Sequence, residues 1–169
     1  VNDNSLPTEM GLNGRKLAGQ KEVFEMPHRK LKDIVANQSL VHAAVDDTVY
    51  DTVRRMQSAH VGTALIFEGT ALRGIFTRSN LLDRILDTGL DPKTTLVGDV
   101  MTPDPVCLHC DEHGIESVRT MRDRNIRHVV VTNVGDKGYG IVSVRDFPDQ
   151  EIGDYEAELS REELLWEEL

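Results

Sequence analysis

At 169 residues the chain has room for one domain, or for two very small ones in tight contact, and its 39 % of apolar residues excludes wholesale disorder. The formal net charge of −10 argues against a broad basic face for duplex nucleic acid. That charge is concentrated, because residues 149–169 carry nine acids against Arg161 alone.

The longest uninterrupted apolar run is Ala64–Phe67, far short of the ~18 residues of a membrane helix. The first ten residues have neither the basic start nor the apolar stretch of a signal peptide. A soluble, cytoplasmic protein without membrane contact is expected. Cys107 and Cys110 are too few for a disulfide framework.

In chain order, residues 1–30 lack periodicity and read as an extended arm, held through Val23, Phe24 and Met26 by its own domain or a neighbouring copy. An internal repeat follows. Shifted by 65 residues, Asp46, Val53, Arg54 and Met56 fall on Asp111, Val118, Arg119 and Met121, all identical. Thr63–Ile66 overlies His128–Val131, and with one extra residue Gly74–Asn80 overlies Gly140–Asp146. The spacing predicts two copies, 31–88 and 97–150, followed by an acidic tail over 151–169.

Each copy has the same pattern. Asp47 or Asp111 is the expected N-cap of a helix that buries Tyr50, Val53 and Met56, or Ile115, Val118 and Met121. Strands are expected over Ala64–Phe67 and Arg73–Thr77, and over Val129–Thr132 and Tyr139–Ser143, each pair joined by turn residues. A further helix is expected from Leu81 to Asp87, whereas Pro148 and Gly153 are expected to interrupt its counterpart. In the tail, Ser160 to Glu163 reads as a capping box that opens a short helix with Leu164, Leu165, Trp166 and Leu169 on one side. The fold class is mixed α/β (α+β): two pseudo-symmetric β-α-β-β-α copies, each too small to bury a core alone and therefore packed face to face.

The segments LRGIFTRSNLL and GYGIVSVRDF, preceded by DDTVYDTVRRMQSAHVGTALIF and DEHGIESVRTMRDRNIRHVVV, resemble the cystathionine β-synthase (CBS) domain. VGDVMTPDPV resembles that family's usual lead-in to a copy. The resemblance implies a regulatory CBS pair that binds an adenosine-containing ligand in clefts between the copies. AMP, ADP and ATP are the commonest such ligands, with NAD and S-adenosylmethionine as variants. It also implies no catalysis, no required cofactor and a flat homodimer. Exposed helix faces around Tyr50 and Ile115 point to the same homodimer, and the protein partner that reads it is unknown.

The resemblance places the site on Thr77, Arg78 and Asn80 in the first copy and on Ser143, Arg145 and Asp146 in the second. Arg127, His128 and Val129, with Gly62, Thr63 and Ala64 as counterparts, stand where family members line the cleft. Hydroxyls and helix-start amides suit phosphate oxygens, and a carboxylate three residues on suits ribose hydroxyls. The same residues would also serve as N-caps with no ligand present, and Asn80 would then cap the helix that follows. An empty-cleft adaptor of the same fold is the alternative. The Ser143–Asp146 motif is expected to bind more tightly than Thr77–Asn80, because a carboxylate accepts from both hydroxyls and Arg145 adds a phosphate partner. Cys107, His109, Cys110 and His113 are zinc-ligand types at poor spacing, and no metal is expected.

Overall fold

The structure, a computed structural model, describes residues 28–167. Val23, Phe24 and Met26, the Trp166 side chain and Leu169, for which contacts were expected above, lie outside the described residues.

Two sheets are built on one plan. In the first, β1 (Val41–Ala44) runs parallel to β2 (Thr63–Glu68), with Val41 opposite Ala64. Helix α2 (Val49–Ser58) makes the crossover between them. Strand β2 then turns back antiparallel into β3 (Ala71–Thr77), Ala64 opposite Phe76, and a two-residue β4 (Thr102–Pro103) closes the edge. In the second, β5 (Cys107–His109) runs parallel to β6 (His128–Val134) across α5 (Gly114–Asp123), and β6 pairs antiparallel with β7 (Gly138–Ser143).

The Thr63–Ile66 and Val129–Val131 runs are buried without alternation, because both faces of each sheet are covered. Leu65 and Ile75 of one sheet meet Val130 and Ile141 of the other between the layers. At the rim of that contact the Phe67 and Tyr139 rings meet edge to face, 5.5 Å apart. The copies therefore pack face to face.

Short helices cross over between them. Helix α1 (Leu31–Ile34) precedes the first sheet, yet Leu31 and Val35 are buried with Val129, Val131 and Val142 of the second. Helix α4 (Val97–Val100) precedes the second sheet, yet Val97 and Val100 are buried with Ala64, Ile66 and Phe76 of the first. The backbone bonds mirror each other: Leu31 N donates to Glu112 O at 2.8 Å, and Val97 N to Asp47 O at 2.8 Å. The motif glycines make room for these crossings. A Cβ on Gly140 would stand 2.7 Å from Val35 Cγ2, and one on Gly74 would stand 2.7 Å from Thr102 O.

Several helix expectations are corrected. Thr48, not Asp47, caps α2: its Oγ1 accepts from Asp51 N at 3.1 Å, while the Asp47 carboxylate accepts from Ala44 N and pairs with Arg55. His113, not Asp111, precedes α5, and Asp111 is held by Lys32 at 2.8 Å. The buried face of α2 is Val49, Thr52 and Met56, which turns Tyr50 outward at 38 % exposure. Ile115, Val118 and Met121 are buried as expected, so no exposed face surrounds Ile115.

The helix expected from Leu81 begins earlier, as α3 (Arg78–Leu81), and continues as a π-helical turn over Leu82–Leu86. Its cap is Thr77, with Asn80 as the reciprocal member of a capping box.

The interruption at Pro148 and Gly153 does not occur. Helix α6 (Asp149–Glu167) runs 19 residues, with Pro148 just before its first turn, where a missing N–H costs nothing. Gly153 lies in its exposed face, and Ser160 is mid-helix, donating to Glu156 O rather than opening a new helix. Tyr155 and Leu159 bury α6 against the second copy, and Arg119 and Arg122 on α5 pair with Glu162 and Glu163. Leu164 and Leu165 are exposed.

Candidate functional site

Where β3 and β7 end side by side, the two sheets leave a cleft of about 820 Å³. It is lined by residues 38–40, 59–63, 77–79 and 127–128, by Ile141 and by residues 143–146.

Its walls follow from local chain geometry. Helix α2 ends with His60 in the left-handed region (φ 56°), and Val61 N donates back to Met56 O at 3.0 Å. The same turn recurs after α5 at Asn125, φ 50°. In the first copy this turn delivers Ala59–Thr63 to the cleft. The linker between α1 and β1 forms the facing wall and is pinned to β7. Ile141 N donates to Gln38 Oε1 at 3.0 Å, Gln38 Nε2 donates back to Ile141 O, and Lys137 Nζ donates to Ala36 O and Gln38 O.

Of the residues singled out in the sequence, Thr63, Thr77, Arg78, Arg127, His128, Ser143, Arg145 and Asp146 line this cleft. Ala64, Asn80 and Val129 do not. Ala64 and Val129 are fully buried core residues. Asn80 is buried with its amide spent: Oδ1 accepts from Thr77 N at 2.9 Å, and Nδ2 faces Thr102 Oγ1 at 3.3 Å.

Asp146 differs from Asn80 in placement as well as in charge. After Ser143 the chain makes a single 3₁₀ turn, so Asp146 stays half-exposed at the cleft. Its Oδ2 accepts from Ser143 N at 2.7 Å and from Ser143 Oγ at 2.9 Å. Its other oxygen has no hydrogen-bond partner among the described residues.

The cleft is cationic in an acidic protein. Arg78, Arg127 and Arg145 are exposed on it, and none forms an ion pair among the described residues. Elsewhere Arg29, Arg55, Arg73, Arg119 and Arg122 pair with carboxylates, while Arg54, Arg84, Arg124 and Arg161 form no ion pair among the described residues; what sets the cleft apart is that three such guanidiniums converge on one cavity. Burial pushes the His128 imidazole below its usual pKa, Asp146 opposes the shift, and Arg145 and Arg127 reinforce it. Its ring is therefore neutral at neutral pH. One accepting carboxylate, a hydroxyl and three unpaired guanidiniums suit a ligand with hydroxyl donors at one end and negative charge at the other.

Gly62, the counterpart of Arg127, also lines the cleft, whereas the linker Gln38–Leu40 and the Ala59–Val61 turn were not recognisable as cleft walls, since no residue type in them signals a ligand. The cysteine cluster does not gather four ligands. Cys107 is exposed, and the His113 ring lies 6.2 Å from that of His28. His109, Cys110 and Asp111 do lie within 4.8 Å of one another, but Lys32 holds Asp111, and His109 Nδ1 accepts from Asp111 N at 3.2 Å.

The comparisons with known proteins agree with the fold. The profile of the CBS domain matches residues 31–87 and 97–147. The chain is 33 % identical over 138 residues to CBSX3, a mitochondrial CBS domain-containing protein of Arabidopsis thaliana, covering 78 % of this chain and 66 % of that relative. It spans under a fifth of several longer Arabidopsis relatives. Its fold is similar to that of a CBS domain protein from Pyrobaculum aerophilum complexed with AMP, with TM-score 0.64 and 18 % identity over 76 % of this chain and 99 % of that one. It is also similar to a hexameric CBS-CP12 protein from bloom-forming cyanobacteria, with TM-score 0.64 and 23 % identity over 72 % and 67 % of the two chains. Two matched regions joined into face-to-face sheets leave one conclusion: the chain is a tandem pair and belongs to the CBS domain family.

Proposed function

We propose that this CBS pair is a regulatory, non-catalytic module whose cleft binds an adenine nucleotide, and that binding alters how its copies and subunits pack. The observation that carries the reading is the set of three unpaired arginines beside Asp146. The half-exposed carboxylate suits both ribose hydroxyls, and the guanidiniums suit the phosphates. The similar Pyrobaculum aerophilum protein is complexed with AMP, which supports the same ligand class here. The Thr77–Asn80 motif makes the weaker contact, because Asn80 is turned away to Thr102. A ligand wedged between the two sheets shifts their packing only by as much as it prefers one arrangement. A partner protein reads that shift. Self-association is part of the proposal: Leu82, Leu86 and Leu90 are exposed on the first copy, and the similar CBS-CP12 protein is hexameric.

Calorimetry with AMP, ADP, ATP, NAD and S-adenosylmethionine, alongside light scattering, tests this reading. Asp146→Ala removes charge-assisted bonds of ~1.5–3 kcal/mol each and is expected to weaken nucleotide binding at least about tenfold. Asn80→Ala is expected to lower stability more than affinity, since it breaks a capping box. No heat from any nucleotide would leave the empty-cleft adaptor standing instead, and full affinity in Asp146→Ala would overturn the assignment of the ribose to this carboxylate.

A further inference from the structure

The turn that offers Asp146 to the cleft is held by a residue that does not line the cleft. In the first copy the chain runs on from Asn80 into a further helical turn, Leu82–Leu86. In the second it stops after the single turn Val144–Asp146 and leaves through extended Phe147 and then Pro148, which has no N–H. The Asp146 carbonyl thereby loses the backbone donors that a continuing helix would bring. Arg29 supplies a donor in their place, its Nη2 standing 3.4 Å from Asp146 O.

That guanidinium is itself anchored. Its Nε and Nη2 donate to Glu151 of α6 at 3.1 and 2.6 Å, and buried Tyr155 donates to the same carboxylate at 2.6 Å. Its central carbon stands 5.9 Å from the centre of the Phe147 ring, and Arg29 O accepts from Gly114 N at 2.8 Å. The repeat provides a comparison. Thr95 holds the matching place before α4, where its O accepts from Val49 N at 3.0 Å. Its hydroxyl donates to Asp91 O at 2.8 Å, not to the first copy's motif. Glu151 neutralises Arg29, so any influence of Arg29 on a ligand runs through the shape of the turn and not through charge at the phosphates.

Resting on the nucleotide reading above, we infer that Arg29 is a positioning residue for the second copy's site: it fixes the Ser143–Asp146 turn in the form that presents the carboxylate, and a nucleotide held by that carboxylate fastens residues 28–30 to α6 in return. The return effect follows from linkage, since whatever the clamp adds to binding, binding adds to the clamp. The first copy's motif has Thr95 in place of this clamp.

The test combines calorimetry and amide hydrogen exchange on the full chain, with AMP and ATP as probes in turn. Nucleotide is expected to slow exchange in the parent more over residues 29–34 than over residues 95–100, the matching segment of the repeat. Arg29→Ala is expected to weaken nucleotide binding about fivefold, at the lower end of ordinary coupling between sites, and to abolish that difference in exchange. Arg29→Lys keeps the charge but not the planar fork and is expected to recover part of the affinity. Thr95→Ala, the matching change in the repeat, is expected to bind as the parent does. Circular dichroism verifies that each variant is folded at the temperature of the titration. No excess slowing over residues 29–34 in the parent overturns the inference without recourse to any variant. A folded Arg29→Ala variant with parent affinity, or a Thr95→Ala variant that loses as much, overturns it too. Those results leave the nucleotide reading in place, whereas a parent that binds neither AMP nor ATP overturns both.

Discussion

Gly140→Ala tests whether the crossing of α1 onto the second sheet holds the fold together. The added Cβ would stand 2.7 Å from Val35 Cγ2, 2.8 Å from its Cβ and 3.0 Å from its Cγ1. Val35 is only 1 % exposed, and it is β-branched, so rotating χ1 exchanges one methyl for another instead of clearing the space. Relief requires α1 to lift away from β7, which also strains the Gln38–Ile141 bonds at the cleft wall. Overpacking of this kind costs ~1–3 kcal/mol. For a chain of this size each kcal/mol lowers Tm by ~2–4 °C. Urea denaturation followed by circular dichroism measures the loss, and a double-mutant cycle with Val35→Ala assigns it. The single Val35→Ala change is expected to cost about 1–2 kcal/mol through the cavity it leaves. The double variant is expected to recover at least about 0.5 kcal/mol relative to the sum of the two. Strict additivity, or a Gly140→Ala variant as stable as the parent, would refute the packing argument.

Gly153→Ala is expected to raise stability by roughly 0.5–1 kcal/mol, since Gly153 sits in the interior of α6 with nothing near its missing Cβ; a lower Tm in a thermal melt would contradict this. His128 should make the fold acid-sensitive. Its folded pKa lies below the unfolded value of ~6.5, so its contribution is complete above that pH and is lost as pH falls toward the folded value. His128→Gln is expected to flatten the fall in stability as pH drops below about 6.5 in urea titrations, and an unchanged slope would show that other groups set it.

The tandem architecture and its strands were legible because a fully buried β-branched run and a repeated turn leave the same trace twice. Cap positions were not, because Asp47 and Thr48 are neighbours of equal capping quality and only the turn after β1 decides between them. Tyr50 misled because an amphipathic register one residue away places Val49 inward with an equally regular pattern. In α6, burial of Tyr155 and Leu159 and the arginine pairs on α5 outweigh the helix cost of Gly153. Periodicity marks Leu31 and Val97 as apolar but carries no information about which sheet each one covers. The cleft's arginines and Asp146 could be found from the repeated motif. The inward turn of Asn80 could not, since it depends on Thr102 of the crossing segment.

That crossing sets an order on synthesis. A chain growing from its N-terminus produces Leu31 about a hundred residues before Val129 and Val131, the strand residues that Leu31 covers. The first sheet in turn waits for Val97 and Val100. A nascent chain halted before Val97 therefore carries two uncovered apolar surfaces at once, the open sheet and the stranded α1, and is exposed to aggregation or chaperone capture until translation resumes. A gene fragment ending at residue 88 would encode that halted state permanently. After release the threading works the other way: a protease cut between Thr88 and Leu96 leaves each half still holding a helix that belongs to the other.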